Sequence, residues 1–275
     1  PITTLLFLWG LVWWLFAFGN EIEHHAATTL YFAWWLALLA VSGFAAAELY
    51  RRMDWFDCRY PATGLFVLAP FFVALTTNDG HTGPLEDWAS LAWAFWLLAA
   101  LRALINLRDG ELPLVRILHF VFLWTMALLL GVELGFLADR HFELTTTWVA
   151  LAGFVPIAAL FWLALVRALP VRFPLGAEAE PLRHPLLSSL AGLMAIAWLL
   201  GLLQEADPAP LPYVPLVNPL ELAQIGYLLL MLAWFRRGER EGGAMMAAEF
   251  RARTLAVAGV LLLTAITLRG VHFLG

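Results

Sequence analysis

Lysine is absent from the 275-residue sequence, so all sixteen basic residues are arginine. Charged residues of both signs make up only 13% of the chain, about half the share typical of soluble domains. That scarcity, with 62% hydrophobic residues and a mean hydropathy of +0.80, excludes an ordinary soluble domain and a disordered chain. A formal net charge of −5 gives no electrostatic ground for binding nucleic acid. The single Cys58 excludes an internal disulfide and a cysteine-based metal site. Serine is confined to positions 42, 90, 188 and 189, and neither a nucleophile elbow nor a glycine-rich phosphate loop occurs. No motif calls for a cofactor. No basic stretch precedes the first apolar run, which argues against a signal peptide. With Pro1 in place of a methionine, the expectation is a piece of a longer protein.

What the chain has is long hydrophobic runs. A membrane-spanning helix needs roughly 20 mainly apolar residues. Nine segments qualify: Ile2–Phe18, Thr28–Leu49, Ala62–Thr76, Trp88–Ile105, Leu114–Leu137, Thr146–Leu169, Leu186–Leu203, Pro219–Phe235 and Thr254–Leu268. Such unbroken runs exclude a β-barrel, whose strands alternate. The expected fold is all-α, a polytopic transmembrane bundle of about nine helices, with Pro70 and Pro156 expected to kink their helices. Tryptophans near helix ends, Trp13, Trp14, Trp34, Trp35, Trp88 and Trp93, read as interfacial anchors. Arg116 and His119 read as interfacial residues that snorkel.

Arginines alternate between the loops. Those after the second, fourth, sixth and eighth runs hold all but Arg140 and Arg269. The positive-inside rule puts these even loops in the cytoplasm. The N-terminus is then cytoplasmic and the C-terminus periplasmic, in the inner membrane of a bacterium. That class is inferred from the all-arginine, alanine-rich composition.

An ordered series of matches suggests an internal repeat. The first run ends in Gly19-Asn20-Glu21 and the fifth in Gly131-Val132-Glu133. The fourth opens after Pro84-Leu85-Glu86 and the eighth after Pro219-Leu220-Glu221. Residues 1–112 and 113–237 read as two four-helix units, and 238–275 as a linker and the start of a third. An even number of helices per unit makes the copies parallel. Glu21, Glu133 and His272 then hold equivalent positions near the outer face, as do Glu86 and Glu221.

Polar residues concentrate on that face. Glu21, His24 and His25 would share a side if the first helix continued, which makes them weak metal-ligand candidates or an acid–base pair. Glu133 lies near the end of an apolar run, and a carboxylate there wants a partner; Arg269 or His272 are the expected ones. The proline-rich loop Asp207–Pro219 should be extended and lie on or dip into the outer interface. Asn218 should cap the eighth helix, leaving Gln224 available for hydrogen bonding.

The stretch Leu211-Pro212-Tyr213-Val214-Pro215-Leu216-Val217-Asn218-Pro219-Leu220-Glu221-Leu222-Ala223-Gln224 resembles a segment of an uncharacterised bacterial family of predicted multi-pass membrane proteins. Trp13-Trp14 with Gly19-x-Glu21, and Arg269-Gly270-Val271-His272, resemble that family too. The resemblance implies a bacterial inner-membrane location and longer relatives, and supplies no activity or catalytic residue.

Three functions follow from the sequence. The first is binding or processing of a polar or lipid-linked envelope ligand, such as a lipid or glycan, at the periplasmic face. The alternatives are a secondary transporter and a structural scaffold. The lipid bilayer is the one partner the sequence names.

Overall fold

The computed structural model describes residues 2–27, 30–76, 83–241 and 248–274. The described residues form ten helices and no strand. In hydrocarbon every backbone polar group must be satisfied within its own segment, and a helix does this. Nine are long: α1 (Ile2–His25), α2 (Tyr31–Met53), α3 (Arg59–Thr76), α4 (Asp87–Leu107), α5 (Leu112–Arg140), α6 (Thr146–Leu165), α8 (Arg183–Leu202), α9 (Pro219–Arg240) and α10 (Ala248–Leu274). Between α6 and α8 lie the four-residue α7 (Leu169–Arg172) and a 3-10 turn (Gly176–Leu182).

Among the described residues, eight segments are long and apolar enough to cross a membrane. Of the nine expected spans, α9 is the one that does not meet this measure, because Glu221, Gln224, Arg236, Arg237 and Arg240 dilute its apolar content. Helices α3 and α6 run through Pro70 and Pro156 without a break. The expected start of the second span at Thr28 lies outside the described residues.

The chain divides into two compact units. The first is Pro1–Glu133 with Leu169–Leu182; the second is Leu134–Ala168 with Arg183–Gly275. In the first, α2 packs on α3 and α4 through small residues. Ala40, Ala46, Ala47, Ala99, Ala100 and Ala103 are all buried. A Cβ on Gly43 would stand 3.0 Å from Leu65. Small residues let helix backbones approach where lipid offers no hydrophobic drive. Trp96 is fully buried and donates from Nε1 to the Leu65 carbonyl at 2.9 Å. Trp93, expected at the interface, is buried and meets Trp96 edge-on at 5.4 Å. His119 is buried as well, with Nε2 2.8 Å from the Val171 carbonyl. The snorkelling expected for it is overturned, because its helix face turns into protein. Helix α1 is the exception in this unit, since Gly19 is its one buried residue.

The arginine-rich helix ends are bound by glutamates. Glu48 receives Arg102, Arg52 at 3.2 Å and Asn106 at 3.0 Å. Arg59 meets Glu111 at 2.9 Å, and Arg108 meets Glu178 at 2.7 Å. In the second unit Glu241 takes Arg183, Arg237 and Arg167.

Candidate functional site

The site is built where the proline-rich loop meets α8, α9 and α10 in the second unit. Asn218 starts α9 by accepting from the Leu220 amide at 2.9 Å, with Pro219 in the first turn, where a missing N–H costs nothing. The other end of its amide donates to the Ala206 carbonyl at 2.9 Å, which closes the loop on itself. One turn into α9, Glu221 is completely buried. Its Oε1 accepts from the Tyr213 hydroxyl at 2.9 Å and its Oε2 from the Leu216 amide at 2.6 Å.

Arg269 of α10, 5% exposed, faces this carboxylate at 3.9 Å. Its guanidinium also donates to the Gln204 carbonyl at 3.0 Å, to Gln224 Oε1 at 3.3 Å and to the Gly201 carbonyl. Gln224 Nε2 in turn lies 3.4 Å from the Trp198 carbonyl, and Trp198 Nε1 donates back to the Gln224 carbonyl at 3.2 Å. The charges are therefore paired and hydrogen-bonded, as burial demands. Burial, with the Glu221 carboxylate beside it, pushes the Tyr213 phenol up to about 12. The Tyr213 ring stacks on Phe273 at 4.7 Å.

Beside this lock lies a cleft of about 1000 Å³, walled by α6, α8 and α9. Trp148, Phe154, Trp162 and Tyr227 line it, and Gln204, Gly201 and Gln224 form its polar edge. Those three residues belong to the lock as well. Trp148 Nε1 and Thr145 Oγ1 donate to the Pro208 and Asp207 carbonyls, tying the loop to the start of α6. A cleft of this size and lining suits a long apolar ligand with a small polar part.

Four candidates from the sequence, Asn218, Glu221, Gln224 and Arg269, thus converge. Of the other six, Glu21, His24, His25, Glu86 and Glu133 belong to the first unit and His272 to the second. Glu133 Oε2 accepts from the Leu85 amide at 3.0 Å. Glu86 accepts from the Gly83 amide at 3.1 Å. Helix α1 continues through its polar end, and Glu21 and His25 meet at 3.4 Å while largely exposed. His24 Nδ1 turns to the Asn20 carbonyl at 2.8 Å. Among the described residues no three metal-ligating side chains gather. His272 is exposed, edge-on to Phe273.

Sequence reasoning missed Tyr213 as the partner of Glu221. The signal was there, since it is the one hydroxyl in an otherwise apolar proline-rich loop.

Among the described residues, eight apolar spans that expose many large apolar side chains define a multi-pass integral membrane protein. The chain belongs to the family described as Predicted membrane protein (DUF2339), whose model matches residues 3–275. No curated protein and no solved structure matches it.

Proposed function

We propose that the protein binds a lipid or lipid-linked envelope ligand in the cleft of the second unit, at the periplasmic face of a bacterial inner membrane. The cleft carries this reading. It is lined almost wholly by apolar and aromatic side chains and ends on the exposed Gln204 and the buried Gln224. Binding is favoured over chemistry because Glu221, Arg269 and Tyr213 are already committed to one another. The same closure speaks against an ion-coupled transporter using those charges.

The orientation follows the arginine loops and requires α9 to cross as well. Its 22 residues rise about 33 Å, enough for the hydrocarbon core. The parallel repeat, with copies at 1–112 and 113–237 and a third beginning in 238–275, gains support from two matched contacts. Glu133 of α5 reaches the turn before α4, and Arg269 of α10 reaches the first turn of α9. Glu86 and Glu221 also both accept from an amide of the loop that precedes them.

Gly226→Leu tests the reading. Gly226 lines the cleft, and a Cβ there meets nothing within 4 Å. The larger side chain fills the cleft without straining α9. Native mass spectrometry of the purified protein should find one more co-purifying lipid-class adduct on the wild type than on the variant. Equal adducts, or none on either, reject the cleft as the binding site and favour the scaffold.

A further inference from the structure

The opposite end of α9 carries a second feature. About 24 Å of helix rise beyond Glu221, Arg236, Arg237 and Arg240 line a cavity of about 570 Å³. Trp162, Val166 and Ala233 form its apolar wall. Trp162 and Val166 are substantially exposed, so this wall opens toward lipid. Arg167 and Arg183 converge there on Glu241, which also binds Arg237.

The charge balance is one-sided. Five arginines surround one carboxylate. Glu239, the next acid along α9, is taken by Arg251. Among the described residues neither Arg236 nor Arg240 has a carboxylate partner, and both are exposed. Residues 242–247, Gly-Gly-Ala-Met-Met-Ala, add no charge of either sign. Burial works to raise the Glu241 carboxyl, and the guanidiniums of Arg237 and Arg183 outweigh it and hold it below the ordinary carboxylate value. Glu241 therefore stays anionic and organises three of the guanidiniums, while the other two remain for an outside anion.

We infer that this cavity binds an anionic phospholipid, with its headgroup phosphate on Arg236 and Arg240 and an acyl chain along Trp162, Val166 and Ala233. Arginine suits a phosphate because its planar fork gives two parallel donors and cannot lose its charge. Basic pockets between membrane helices are a recurring setting for such headgroups. The apolar wall favours a lipid over free phosphate, because a small anion gains nothing from tryptophan and valine. The cavity shares Trp162 and Ala233 with the cleft's wall, but its arginines lie outside the cleft, so the arginine variants test this assignment separately from Gly226→Leu.

The test is titration of the detergent-solubilised protein with phosphatidylglycerol and with phosphatidylcholine of the same acyl chains, read by native mass spectrometry. Wild type should take phosphatidylglycerol at least about tenfold more tightly, in the range expected for two basic residues near a headgroup. R236Q/R240Q should lose that preference, and R253Q, at an exposed arginine paired with Glu249, should keep it. Both changed residues are exposed, so the double variant should fold; an unchanged melting temperature checks this. Equal binding of the two lipids, or a preference that survives R236Q/R240Q, overturns the inference. Removal of the preference by millimolar inorganic phosphate would assign the arginines to a free anion and overturn it too.

Discussion

Replacing Arg269 by methionine keeps the apolar stem and deletes the guanidinium. Its acceptors are affected unequally. The Gln204 residue is exposed and its carbonyl can take water, whereas the Gly201 carbonyl, Gln224 and Glu221 are in buried residues. Glu221 keeps Tyr213 and the Leu216 amide but becomes a buried anion without a counter-charge. Two unit charges 3.9 Å apart attract by about 4 kcal/mol at an effective dielectric of 20, before desolvation is set against it. Breaking a buried pair on one side costs about 3–5 kcal/mol, and Arg269→Met should fall there. Glu221→Gln should cost about 3 kcal/mol, because an amide replaces one of two acceptors and Arg269 is left over. The double variant should be less damaged than the sum by about 2 kcal/mol or more, since each single change strands the other charge. Equilibrium unfolding in mixed micelles with increasing dodecyl sulfate measures all four proteins. An Arg269→Met protein within about 1 kcal/mol of wild type, or strict additivity, would refute a coupled lock.

Three further outcomes follow from the same geometry. Tyr213→Phe leaves Glu221 Oε1 without its hydroxyl donor and should cost about 1–3 kcal/mol. Because the folded phenol is raised to about 12, its contribution is complete below the ordinary value near 10 and is lost as pH rises through the folded value. A wild-type stability that falls no more steeply across that window than that of Tyr213→Phe would contradict it. Glu241 is displaced the other way. Its contribution is present above the ordinary carboxylate value and disappears as pH falls through the lowered one, so Glu241→Gln should flatten the acid limb of a melting-temperature profile. Gly19→Leu drives a side chain into the Trp35 ring, which a Cβ alone would already overlap. It should abolish a cysteine crosslink engineered between α1 and α2 while leaving the lock intact.

Span placement was legible because hydrocarbon demands long apolar helices, and length and composition record that demand directly. The Asn218 cap was legible too, since a capping side chain acts on its own neighbours. Helix rotation was not. Where one side of a helix meets lipid and the other meets protein, both are apolar, so no amphipathic stripe says which way Trp93 or His119 faces. Long-range pairings hid for a related reason. Glu48 with Arg102 and Glu241 with Arg183 are joined by contacts between distant helices. Arginines counted per loop give a membrane orientation and say nothing of which acids will hold them. At the candidate site, Asn218, Glu221, Gln224 and Arg269 stood out as polar residues in apolar runs, whereas the cleft that borders them is a property of packing alone.

Helix α1 joins its unit through a glycine notch at Gly19, a Trp14–Ser42 hydrogen bond at 3.0 Å and a Thr4–Asp57 hydrogen bond at 2.9 Å. Most of its large side chains already face outward, so leaving its neighbours would change their surroundings little. In a bilayer the span itself remains inserted after such a departure, because insertion and association are separate steps. The unfolding of this protein should therefore be hierarchical, with α1 drifting away first as an intact helix and the rest of the unit holding.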